Sequence, residues 1–193
     1  MLARVTEAGS AGPILPRMLR AALFTFVGVV WCVRLLQSFA DPEYEDPVSA
    51  SDWFAVVSFS AALFALALAL PLLAQLIGGR AVFRVSLVPA VGAALSGLGN
   101  LLEDALQIGF AGWLYAVGNT LTMVGLIAFT IAIAVAGRGR RRLLAAVPAA
   151  TLIGWFLSES GGGVLILAAW LAAAAMALDR PTRTAAQTAP ESP

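Results

Sequence analysis

Six long runs of apolar residues, separated by short breaks, lie along this chain near 17–39, 52–77, 82–108, 112–136, 142–158 and 162–178. A membrane-crossing helix needs about 20 mostly apolar residues, so each run predicts a spanning helix, the last two being short. The breaks carry helix-ending residues. Pro42 and Pro47 bracket the first, Gly78 and Gly79 form the second, Gly109 and Gly112 make the third a tight hairpin, and Gly161, Gly162 and Gly163 separate the last two runs. A re-entrant pair is the alternative for those two. The expected fold class is all-α, a polytopic integral membrane bundle of six transmembrane helices forming one domain over residues 1–180. Residues 181–193, rich in Pro, Thr, Ala and Gln, are expected to form a disordered cytoplasmic tail.

The third run departs from the apolar pattern. Asn100, Glu103, Asp104 and Gln107 fall at i, i+3, i+4 and i+7, which places four polar side chains on one face of a continuous helix. An ionisable group costs at least ~2.5 kcal/mol at the centre of a spanning helix, so such a stripe points to a partner, a cavity or a task.

Composition narrows the chemistry. The 193 residues are 60% hydrophobic and 12% charged, with mean hydropathy +0.88, far from an ordinary soluble domain. All 12 basic residues are arginine, and the absence of histidine removes the commonest proton shuttle and metal ligand. Cys32 is the sole cysteine, so an intrachain disulfide, a CxxC redox pair and a thiolate zinc site are excluded. No Walker loop, HExxH, nucleophile elbow or paired-Asp prenyl-diphosphate motif occurs, and no cofactor or metal is expected.

Charge placement then sets orientation. Arg4, Arg17 and Arg20 precede the first span, Arg80 and Arg84 lie between the second and third, Arg138, Arg140, Arg141 and Arg142 between the fourth and fifth, and Arg180 and Arg183 follow the sixth. All eleven fall on one side, and Asp41, Glu43, Glu45, Asp46, Asp52 and Glu159 on the other. Basic residues gather on cytoplasmic flanks, so both termini are expected in the cytoplasm and the protein in the inner (plasma) membrane. A competing reading treats the N-terminus as a signal peptide cleaved after Ser38, Phe39 and Ala40, at the cost of a helix that completes the polar set. The GRGRRR run reads as a topology signal beside anionic lipid, and no nucleic-acid role is implied.

At about 1.5 Å per residue, Glu103 lies roughly 9 Å below a turn centred near Gly109 and Phe110, in the outer leaflet. Asn100 and Asn119 are equidistant from that turn, so Gly99-Asn100 and Gly118-Asn119 are expected to face each other. Arg34, with Gln37, Ser38 and Asp41, repeats the polar spacing at the outer end of the first span, and its guanidinium suits Glu103 or Asp104. Tyr115, Asn119 and Thr122 share a face of the fourth span. Thr151, Trp155, Ser158 and Glu159 share one on the fifth. Glu103 and Asp104 are therefore the candidate acids, with Arg34, Asn100, Asn119, Glu159, Trp155 and Tyr115 as candidate ligand-binding residues. Trp31, Trp53, Trp113 and Trp155 read first as interfacial anchors and second as pocket walls. The loop acids Asp41, Glu43, Glu45 and Asp46 are most simply solvated, a divalent cation being the alternative.

Four functions follow. The leading one is a pocket in the outer half of the bundle for a small apolar or amphipathic, lipid-like molecule. The second is a membrane enzyme that uses a protonated Glu103 or Asp104 to isomerise or cyclise a lipid or isoprenoid. The third is proton- or cation-coupled transport, for which a chain this small would need a homo-oligomer. The fourth is an accessory subunit of a membrane complex, bound to a membrane-protein partner, whose polar stripe only holds helices together.

Overall fold

The computed structural model describes residues 15–40 and 49–179, and all regular structure among them is helical. The α-helices are α1 (Arg17–Ala40), α2 (Ala50–Ile77), α3 (Arg80–Asn100), α4 (Gly112–Ala136), α5 (Ala146–Phe156) and α6 (Gly162–Leu178). Ser49 starts α2 with a reciprocal cap: its hydroxyl accepts from the Asp52 N–H at 3.2 Å while the Asp52 carboxylate accepts from the Ser49 N–H at 2.7 Å. Gly78 and Gly79, at φ 84° and 93°, turn the chain into α3 in a region that side-chain-bearing residues avoid.

Among the described residues, four helical stretches are long and apolar enough to cross a membrane: Arg17–Ser38, Ala50–Ile77, Arg80–Ala105 and Gly109–Ala136. Their outward faces are apolar. Phe26, Val29, Val33 and Leu36 on α1 and Val124, Ile127, Ile131 and Val135 on α4 are exposed at helical spacing. Such continuous apolar surface suits lipid, not water. The other two expected spans are shorter. α6 is an apolar helix of 17 residues. The run expected near 142–158 is α-helical over only 11 residues, between 3-10 segments at Gly139–Ala145 and Ser158–Ser160. Arg140, Arg141 and Arg142 lie in the first of these segments, and Pro148 in the opening turn of α5 fits a helix start.

Each helix packs against its neighbours in sequence, and α6 returns against α1, which closes the six into a ring. Trp31 and Phe24 of α1, Leu63, Leu66, Leu70 and Leu73 of α2, Phe129 of α4 and Trp170 of α6 fill the centre. Glycines set the closest approaches. A Cβ at Gly28 would lie 3.1 Å from the Cβ of Trp170, so α1 and α6 pack nearly backbone to backbone.

The α3–α4 hairpin is tighter still, and its register differs from the expected one. Pro89 meets Gly125, Gly92 meets Thr122, Ser96 meets Gly118 and Gly99 meets Tyr115, each pair equidistant from residue 107. The centre is Gln107 instead of Gly109 and Phe110, so Asn100 and Asn119 do not face each other. Leu101–Ala105 forms a π-helical turn closed by Leu106 N–H donating to Leu101 O at 3.2 Å, and Gln107 takes the left-handed conformation at φ 54°. These two departures shift the hairpin relative to a symmetric turn.

Candidate functional site

At the end of the bundle away from the arginine-rich loops, four helices converge on one ring. Phe59 of α2 meets Trp31 of α1 and Trp155 of α5 edge-on, with centroids 6.0 and 6.1 Å apart. Tyr115 of α4 approaches it at 6.3 Å, and Trp31 and Trp155 lie 4.9 Å from each other. One turn beyond Trp31, the Arg34 guanidinium carbon sits 5.4 Å from the Phe59 centroid, a cation–π distance. The tryptophans therefore divide. Trp113 is 77% exposed and Trp53 is also exposed, as interfacial anchors would be, whereas Trp31 is fully buried and belongs to the cluster.

Tyr115 lies within electrostatic reach of Asp104, Arg34 and Glu103. Arg34 also donates to the Ser38 hydroxyl one turn on. Glu103 rests on the start of α4: a Cβ at Gly112 would fall 2.5 Å from its Oε1, so glycine makes the space the carboxylate occupies. Asn119 lies one turn from Tyr115 on the same face, and its Oδ1 is buried without a hydrogen-bond partner among the described residues. The indole N–H of Trp31 is likewise buried and unpartnered. Buried polar atoms usually find partners, which makes these two sites of unmet hydrogen-bonding capacity.

The expected single-face stripe does not persist. A π turn advances each residue by less than the roughly 100° of an α-helix, so residues beyond Asn100 rotate off its face. Asn100 is buried against α2, donating from Nδ2 to Ser60 Oγ at 2.9 Å and to Val56 O at 3.3 Å. Glu103 and Asp104 are half-buried, and Gln107 is exposed. Asn100 thus joins helices as an interhelical polar contact, with α2 as its partner in place of Asn119.

On α5, Thr151 is fully buried and accepts a hydrogen bond from the Trp170 indole at 3.0 Å, tying α5 to α6. Trp155 alone of its expected face joins the aromatic cluster. Glu159 falls on the Ser158–Ser160 turn, and its side chain lies outside the described residues, as do the loop acids Asp41, Glu43, Glu45 and Asp46 and the tail 181–193. Among the described residues no group of three or more His, Cys, Asp or Glu is placed to hold a metal ion. Cys32 is buried.

The residue that hydropathy patterning missed is Phe59, with its neighbour Ser60. Phe59 reads as one apolar position among many in α2, and only the Ser58-Phe59-Ser60 triplet interrupts the surrounding run. The comparisons with known proteins add no relative: no family model, curated protein or solved structure matches this chain.

Proposed function

We propose that this chain is a six-span protein of the plasma membrane, with both termini in the cytoplasm, which binds a small amphipathic, lipid-like molecule at the end bearing Phe59. The observation that carries the reading is the convergence of α1, α4 and α5 on Phe59 of α2, with Arg34, Glu103 and Asp104 within electrostatic reach of Tyr115. Aromatic walls with a few convergent polar groups are the usual make-up of a small-molecule site. Phe59, Tyr115 and Trp155 are each only half-buried although they face one another, which leaves aromatic surface for an apolar body. Asn119 Oδ1, without a partner among the described residues, is an acceptor for a polar head that donates hydrogen bonds.

The six-span topology is supported by the way α6 lies along α1, from Gly163 against Cys32 to Trp170 against Gly28. A helix packed in this way along a spanning helix shares its depth. Orientation is supported by the arginines that flank these helices, together with the rule that cytoplasmic flanks are basic. A second reading, proton donation by Glu103 or Asp104 to a lipid-like substrate, is favoured by the π turn that carries both acids, since such turns are frequent at functional sites.

The test is thermal unfolding of the purified protein in detergent with a total lipid extract of the host as additive. The wild type is expected to gain stability, while Glu103→Gln and Tyr115→Phe, with normal stability alone, lose that gain. If both variants keep the full lipid-induced shift, the Phe59 end is not the binding site.

A further inference from the structure

We propose that the opposite end of the bundle binds a phosphate group, either the headgroup phosphate of an anionic lipid or a free phosphate, in a cavity between α1, α2, α6 and the 3-10 segment before α5. This site lies at the other end from Phe59 and stands independently of the reading given above. The cavity measures about 360 Å³, and its polar lining is Arg17, Arg20, Gln75, Arg140, Arg141 and Asp179. Four guanidinium groups set against one carboxylate leave three net positive charges.

Arg20 distinguishes this cavity from a loop that merely signals topology. It is only 6% exposed, its Nη2 donates to Leu15 O at 3.3 Å, and its Nε is buried without a partner among the described residues. A topology signal acts from solvated positions and gains nothing from burying a guanidinium. Burial is costly unless each N–H finds an acceptor. Arg17 and Arg20 also occupy the first turn of α1, where the helix dipole is positive and repels them. An oxyanion in the cavity would relieve both penalties.

The remaining groups fit the same ligand. Arg141 Nη1 is bonded to Ile77 O at 3.3 Å, which anchors the side chain at the cavity wall. Arg140 pairs with Asp179 at 3.6 Å, both well exposed, so this is a screened rim contact that a stronger anion can displace. Guanidinium forks match the paired oxygens of phosphate, and basic pockets between membrane helices are a recurring mode of anionic headgroup binding.

The experiment uses delipidated full-length protein in a non-ionic, phosphate-free detergent, titrated by calorimetry with dioctanoyl phosphatidylglycerol, with inorganic phosphate, and with the lipid in the presence of excess phosphate. Three forms are compared: wild type, the rim double variant Arg17→Gln/Arg140→Gln, and Arg80→Gln/Arg84→Gln, which removes the same charge away from the cavity. Circular dichroism and gel filtration confirm that each is folded. The wild type is expected to bind with one-site saturation, the rim variant about tenfold or more weaker, and the off-cavity variant within about twofold of wild type. Saturable binding of the lipid without competition by phosphate identifies a headgroup site, and effective competition identifies a free-anion site. No saturable binding of either probe, equal binding by wild type and the rim variant, or an equal loss in both double variants overturns the proposal.

Discussion

Replacing Phe59 by leucine tests whether the aromatic cluster is a built feature or an accident of packing. Lipid tails are as apolar as the residues between helices, so association inside a bilayer depends on specific contacts more than on the hydrophobic effect. The substitution removes three ring–ring contacts, at 6.0, 6.1 and 6.3 Å, and the Arg34 contact at 5.4 Å. Aromatic pairs contribute roughly 0.5–1.5 kcal/mol each and a cation–π contact about 0.5–2 kcal/mol. Phe59 is half-buried and leucine retains some packing, so the low end applies, and the expected loss is about 2–3 kcal/mol. A volume-like apolar swap without these contacts usually costs less than ~1.5 kcal/mol. The assay is reversible unfolding in mixed detergent micelles followed by circular dichroism, with tryptophan emission as second readout because Trp31 and Trp155 border the lost ring. A loss below about 1 kcal/mol with unchanged emission would refute the reasoning.

Two further substitutions test the α3–α4 hairpin. Gly118→Leu puts a side chain where even a Cβ would collide with the Ser96 backbone and lie 2.7 Å from Gly92 O, so a loss of about 3 kcal/mol or more, or failure to fold, is expected in the same unfolding assay. Gln107→Gly is expected to leave stability unchanged or raise it by up to about 1 kcal/mol, because glycine accepts φ 54° without the steric cost of a Cβ. A clear destabilisation by Gln107→Gly would show that its side chain holds the turn.

Helix positions were legible because apolar length is a one-dimensional property: the first four runs appear as helices long enough to cross a bilayer. The gathering of arginines was legible for a similar reason, since an even number of helical passes separates Arg17 and Arg20 from Arg140 and Arg141, which line one cavity. Pairing was not. Spacing rules assume 3.6 residues per turn, and the π turn at Leu101–Ala105 breaks that assumption within the stripe the rules selected. Asn100 was therefore assigned the wrong partner. Trp31 read as an interfacial anchor because its position in sequence says nothing of the face it presents. Phe59 escaped because an aromatic residue in an apolar helix carries no polar signal, and its importance comes from which three other rings surround it.

Taken together, the backbone irregularities explain how the acids can lie where they do. Away from water, backbone that leaves the α-helix must satisfy its polar groups internally, so irregular segments persist only near the interface or beside a cavity. Around Glu103 the chain runs through a π turn, a left-handed Gln107 and a 3-10 turn at Gly109–Ala111 before α4 begins. A continuous α-helix would have placed Asn100, both acids and Gln107 on one face against a single neighbour. The π turn divides that load: Asn100 is satisfied by α2, Glu103 rests on Gly112 of α4, and Gln107 is exposed. Tyr115, held in place by the close approach of Gly99, then lies within electrostatic reach of Arg34 and both acids. The small-residue packing of the hairpin and the polar site are thus one arrangement, and a change that loosens the hairpin at Gly99 or Gly118 should displace Tyr115 from the charges around it.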